Sequence, residues 1–181
     1  MATAAPAEVW NIDKPHSSVS FSVRHLVISR TTGDFNEFNG AVDFDGKNIA
    51  TGLVEITVQM ASVDTDDDER DTHLRSADFL DVERYPSMSF LSTKIVPGES
   101  GYFELIGDLT IKGVSVEVVF DAEFNGVVED PWGNTRAGFS AETVINRHDF
   151  GIAWSKTLDG GGLVVGDDVV IVIELEVIKA K

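Results

Sequence analysis

The side chains in this chain best suited to chemistry are four histidines, a run of acids and the two arginines that follow it. The histidines are His16, His25, His73 and His148. None stands in an HxH or HExxH spacing, so a metal site would have to be assembled by the fold. There is no cysteine, which removes disulfides, thiol nucleophiles and zinc–thiolate centres. Asp66, Asp67, Asp68 and Glu69 could be imagined around calcium, but the run lacks the glycine and closing glutamate of an EF-hand loop. The same acids suit the first turn of a helix, where the dipole favours negative charge. Arg70, Asp71 and Arg75 are more specific. Asp71 and Arg75 stand four apart and can pair along a helix, whereas His73, two residues from Asp71, points elsewhere. Arginines at a barrel mouth could instead meet a polar head group. Gly160–Gly162 opens no helix and precedes no lysine–threonine pair, so a phosphate loop is not indicated. No serine sits in GxSxG. Trp132 and Trp154, in turn-like segments, are placed to plug a barrel end or to stack on a ligand. These residues form no catalytic constellation.

The elements that must position them are almost all strands. Ser62–Phe90 contains the one helical stretch, expected near residues 65–80: Thr65 or Asp66 can cap it, and Leu74, Ala77, Phe79 and Leu80 give it an apolar side. Pro86 then pushes Tyr85 towards extended backbone. Elsewhere the period is two. Val19, Phe21, Val23, His25 and Val27 share a face against Ser18, Ser20, Ser22 and Arg24. Phe35 and Phe38 break strict alternation, as a bulge would. Val54 to Met60, Phe103 to Ile111, Val114 to Phe124, Ala137 to Ile145 and Val169 to Val177 repeat the pattern, with Glu174 and Glu176 facing away. Gly107 interrupts one face where a bend or close approach is expected. The count is about eight strands with hairpin-scale connections, an antiparallel barrel or sandwich. A one-faced apolar pattern fits a solid core or the lining of a cavity.

At 181 residues the chain reads as one domain, 9–181, behind a mobile small-residue tail, 1–8. The net charge of −17 argues against nucleic acid and against anionic lipid as partners. No apolar run is long enough to span a bilayer as a helix. The small residues around Ala5–Ala7 resemble the trailing end of a processed leader; that gives a periplasmic location if Met1 replaces a removed signal peptide, and a cytoplasmic one otherwise.

Several blocks, in order, resemble the YceI-like family of bacterial polyisoprenoid-binding proteins. DT-x3-ERD-x-HLRSADFLDV-x2-YP-x2-SF runs from Asp64 to Phe90. Before it stand W-x-ID-x2-HSSVSFSVRHL (Trp10–Leu26) and GDF-x2-FNG (Gly33–Gly40). After it stand GDLTIKGV (Gly107–Val114), DPWGN-x-RAGF (Asp130–Phe139), INRHDFGIAW (Ile145–Trp154) and GD-x-V-x-I (Gly166–Ile171). The resemblance implies an all-β, eight-stranded antiparallel lipocalin-like barrel with its helix in the long connection. It also implies a tubular apolar cavity holding a polyprenyl chain or an isoprenoid quinone tail, with no catalysis and no cofactor beyond that ligand. On the inward strand faces the ligand-binding residues would be Phe21, Val23, Phe35, Ile56, Val58, Phe90, Leu105, Val118, Phe120, Phe139 and Ile171. Leu74 and Phe79 would close the barrel, with Arg70 and Arg75 as head-group candidates. The oligomeric state stays open, a homodimer included. Two other readings remain: an enzyme on an isoprenoid-like substrate using His25, His73 or Asp71, and a solid-core, stress-related interaction module.

Overall fold

The computed structural model describes residues 8–157 and 163–180. Residues 1–7 of the expected 1–8 tail and the glycines at 160–162 lie outside the described residues, and Glu8 belongs to the first strand instead of the tail. The strands are β1 (Glu8–Ile12), β2 (Ser18–His25), β3 (Ser29–Phe35), β4 (Phe38–Phe44), β5 (Leu53–Gln59), β6 (Val63–Asp64), β7 (Ser87–Pro97), β8 (Tyr102–Ile111), β9 (Val114–Glu129), β10 (Thr135–Asn146) and β11 (Val165–Lys179).

These eleven segments make eight staves. A 3-10 turn at Lys14–His16 breaks the first stave into β1 and β2. The second, β3 and β4, kinks at Asn36–Glu37, where both flanking phenylalanines, Phe35 and Phe38, stay buried. The third, β5 and β6, is broken by a 3-10 turn at Met60–Ser62. Ser62 ties the two kinks together by accepting from the backbone N–H groups of Asn36 and Glu37. Every stave pairs antiparallel with its sequence neighbour. The ring closes where β1 meets β11, with Trp10 opposite Lys179 and Ile12 opposite Val177. Closure removes the two outer edges that an open sheet of these staves would expose.

Hairpin chemistry follows the sequence at most corners. Lys112 and Gly113 both take positive φ, 51° and 74°, as a two-residue turn of the primed type requires. The corner between β2 and β3 does not. Leu26 and Val27 hold φ of 51° and 68°, a conformation that costs an L residue roughly 1–2 kcal/mol. Val27 therefore leaves the inward face on which alternation placed it, and is 59% exposed.

The helix, α1, is Asp68–Arg75, shorter than the 65–80 expected. Asp67, not Thr65 or Asp66, is its cap, accepting from the Arg70 N–H. Ser76 ends it, its hydroxyl donating to the His73 carbonyl, and residues 77–84 form turns instead of a second half. A serine hydroxyl that bonds nearby backbone offers the chain an alternative to helix, which is why the apolar pattern through Leu80 did not extend it.

One end of the barrel is filled by aromatic rings. Trp10 packs on Phe44 at 4.9 Å, Phe44 meets Phe124 and Phe139 edge-on, and Phe124 lies 5.2 Å from Phe139. Trp10 is fully buried and its indole N–H donates to the Phe44 carbonyl. The plug is thus Trp10; Trp132 is 79% exposed and plugs nothing.

Candidate functional site

Among the described residues, two apolar cavities in the interior share no lining residue. The lower one, next to the plug, is about 40 Å³ and takes Ile56, Phe90, Leu105, Phe120 and Phe139 of the expected lining. Phe90 stands edge-on to Phe120 at 5.3 Å. Its ring has room there because the facing residue is Gly107: a Cβ at that position would lie 2.6 Å from Phe90 Cζ.

The upper cavity is about 130 Å³ and takes Phe21, Val23, Phe35, Leu74, Phe79 and Ile171. Val58 and Val118 are buried but line neither. A cavity of ~150 Å³ holds a benzene-sized molecule, so the upper space accommodates about one isoprene unit as the side chains stand. The tube implied by the resemblance is not open along its length in this conformation.

Above the upper cavity lies a vestibule of about 160 Å³ that shares Phe21, Val23, Leu74, Phe79 and Val165 with it. Its remaining lining is mostly polar: Arg24, His25, Thr31, Arg70, His73 and Trp154, besides Val164. The boundary is aromatic. The rings of His73, Phe79 and Trp154 stand 5.0–5.1 Å apart, with His73 edge-on to the other two. Asp78 holds the His73 ring by its Nε2 at 3.0 Å. This triad is contributed by α1, the turn after it and the segment before β11, so closure depends on two separate connections.

The charged residues of α1 divide between strut and rim. Asp71 is buried and does not pair with Arg75; its Oδ1 accepts from the Thr65 N–H at 3.0 Å and from Thr65 Oγ1 at 2.6 Å. Arg75 donates to the carbonyls of Ala61 at 2.8 Å and Val63 at 2.6 Å. Arg70 donates to Thr65 Oγ1 and the Thr65 carbonyl, both at 2.7 Å. All three tie the helix to the end of the third stave. Of the two head-group candidates, Arg70 lines the vestibule and Arg75 does not.

Arg147 was not picked out by sequence. It is 3% exposed and its stem lines the upper cavity. Nε donates to Gly166 O at 2.8 Å, and one terminal nitrogen donates to Ile152 O at 2.6 Å and Trp154 O at 2.8 Å. Burial lowers its pKa, against the pull of the Asp167 carboxylate. Arg147 fixes the strand of backbone that carries Trp154 into the gate. A signal existed: Arg147 sits among Ile145, Phe150, Ile152 and Trp154 in the glycine-containing block INRHDFGIAW. Nothing local said that its partners would be carbonyls.

A second polar cluster lies outside the barrel at the plugged end. Asp13, His16 and Glu176 bring ligand atoms within 4.8 Å of one another, a spacing a cation could use. The cation already there is Arg136, bonded to Asp13, Glu176 and Asp130. Asp130, then Asp13 and Glu176, raise the Arg136 pKa by accepting hydrogen bonds from its guanidinium, which favours the charged form. Burial pushes the Asp130 carboxyl up, but bonds from Arg136, Asn134 and the backbone N–H groups of the turn outweigh it and hold it well below the usual range. The cluster pins the first stave against the last two.

A closed, up-and-down antiparallel barrel with an apolar interior, plugged at one end and gated at the other, is a lipocalin-like architecture. The chain belongs to the YceI-like domain family, whose model matches residues 10–177. It is 44% identical over 151 residues to a UPF0312 protein of Vibrio cholerae, covering 82% of this chain and 80% of that one. Among solved structures, BcnA of Burkholderia cenocepacia is similar at a TM-score of 0.78 and 27% identity, over 91% of this chain and 98% of that one. A polyisoprenoid-binding domain from Saccharophagus degradans shares the fold at a TM-score of 0.73 and 14% identity, over 94% of this chain and 98% of that one.

Proposed function

We propose that this protein binds a long polyisoprenoid lipid, a polyprenyl chain or an isoprenoid quinone tail, as a carrier or sequestering protein without catalysis. The observation that carries the reading is the upper cavity: lined almost wholly by carbon, it lies directly beneath an aromatic gate and a rim bearing Arg24, His25, Arg70 and His73. An apolar chain inside and a polar end at the rim suit that division. Each buried methylene contributes ~0.8 kcal/mol, so a chain of several units binds tightly with little polar recognition. The Saccharophagus domain of the same fold is described as polyisoprenoid binding, which agrees with this reading at the level of fold.

A chain longer than one unit must displace rings. The edge-on contact of Phe90 with Phe120 and the tilted contact of Phe79 with Trp154 are the places where rotamer changes would join vestibule, upper cavity and lower cavity. The direct test is native mass spectrometry of protein purified without detergent, followed by solvent extraction and titration with a polyprenol and a ubiquinone. A co-purified prenyl lipid or saturable uptake of either probe supports the proposal. The absence of both a bound lipid and uptake overturns it. Turnover of such a substrate that vanishes on His73→Ala would replace it with an enzyme.

A further inference from the structure

We infer that the β2–β3 hairpin is a docking tip by which this protein sits on a phospholipid bilayer, with the barrel mouth facing the lipid. The inference deepens the proposed function and rests on it for its purpose, but not for its evidence. The tip residues are Leu26, Val27 and Ile28, between the paired His25 and Ser29. Val27 is 59% and Ile28 84% exposed, and both stand in the turn beyond the last paired residues of the hairpin. Small polar residues or glycine would make this turn without strain. Here two branched apolar residues, one of them β-branched, hold positive φ instead. Strain kept at an exposed apolar site is characteristic of function more than of stability.

The charges around the tip fit phosphodiesters. Arg24 and Arg30 face each other across the hairpin one pair behind the turn, and both are exposed. Along the chain no acidic residue lies between Asp13 and Asp34, of the 31 it carries; Asp167 and Asp168 stand in the β11 bulge opposite Arg24, and Asp167 is held by Arg147 and His148. An apolar tip that enters the interface thus brings two guanidinium groups to the depth of the lipid phosphates. Another exposed hairpin tip, that of Trp132, shows the contrast: it lies at the plugged end and follows Glu129 and Asp130. Because the whole chain carries a charge of −17, the surface favoured is zwitterionic, where phosphates are available without a net negative field. The vestibule is lined by Val23, Arg24, His25 and Thr31 of the same hairpin, so docking there places the gate against the source of an apolar ligand.

Flotation with prenyl-free phosphatidylcholine–phosphatidylethanolamine vesicles tests the docking apart from the cargo. The wild type should float, and Ile28→Asp should lower the partition coefficient at least about tenfold, the effect of one lost apolar side chain. Val27→Asn is the discriminating variant: asparagine tolerates positive φ, so its melting temperature should rise while its partition falls. Arg24→Gln with Arg30→Gln should give a smaller loss, and Trp132→Ser none. Uptake of detergent-dispersed polyprenol should be unchanged in Ile28→Asp, so failure of the cargo reading and of this one are separable. No flotation of the wild type, or flotation of Ile28→Asp and Val27→Asn equal to that of the wild type, overturns the docking tip and leaves a protein partner as the occupant.

Discussion

Replacing Arg147 with methionine removes a buried guanidinium while keeping a stem of similar length along the upper cavity. Three bonds of 2.6–2.8 Å, to Gly166, Ile152 and Trp154, disappear. Hydrogen bonds to a charged group contribute roughly 1.5–3 kcal/mol each, and the desolvation of a buried ion opposes them by several kcal/mol. The larger consequence is that carbonyls in a buried setting lose their donor. The net loss should be about 3–4 kcal/mol, near the ~3–5 kcal/mol typical of breaking a buried charged contact. With a urea slope of about 2 kcal/mol per molar, the midpoint should fall by about 1.5–2 M. Arg147→Lys should not rescue it, since one ammonium cannot reach carbonyls on separate segments. Urea titration read by far-UV circular dichroism gives the stability, and tryptophan emission reports Trp154 as its segment loosens. A midpoint that falls by less than about 0.5 M would refute the reasoning, because it would mean that desolvation cancels the clamp.

Three further outcomes follow from particular contacts. Gly107→Ala would place a Cβ 2.4 Å from the Leu91 carbonyl oxygen and 2.6 Å from Phe90 Cζ; overpacking of this kind costs about 1–3 kcal/mol and should lower the melting temperature. Phe79→Ala takes away the gate residue shared by cavity and vestibule; stopped-flow uptake of polyprenol should accelerate while stability falls by about 3–5 kcal/mol. The third concerns acid. Asp13, chiefly through His16 and then Arg136, and Asp130, where bonds led by Arg136 overcome burial, both have folded pKa values below the ordinary 3.8. Their stabilisation is complete above that value and is lost as pH falls below it through the depressed folded values. Equilibrium unfolding at stepped pH below about 4 should therefore decline more steeply in the wild type than in Arg136→Gln. Parallel curves would show that the cluster does not couple to folding.

Much of the barrel was legible in the chain because alternation is a local property. In β8 to β11 each inward side chain follows from its neighbour two residues away, so Phe103, Leu105, Phe120, Phe139 and Leu175 come out buried where the period put them. Breaks in the period were legible as breaks, as at Phe35 and Phe38, but not as the kinked staves they became. Val27 was misplaced because a turn with no turn residues in it reads as more strand. The helix was overextended because apolar spacing continued past Ser76, where a hydroxyl-to-carbonyl bond stopped it.

The sequence by itself determined an antiparallel β chain with one capped helix, and its ordered blocks marked the YceI-like family. Those features depend on residue type and short spacing. Only the tertiary structure decided that Asp71 serves Thr65 and not Arg75, that Arg75 serves two carbonyls, and that Arg70 alone of the two arginines reaches the rim. It also decided that Trp10 is the plug, that Arg147 holds Trp154, and that His25 and His73 share one vestibule. Each of these joins groups from different staves or connections. Such a pairing is fixed by barrel closure and register, quantities that no local window of sequence contains.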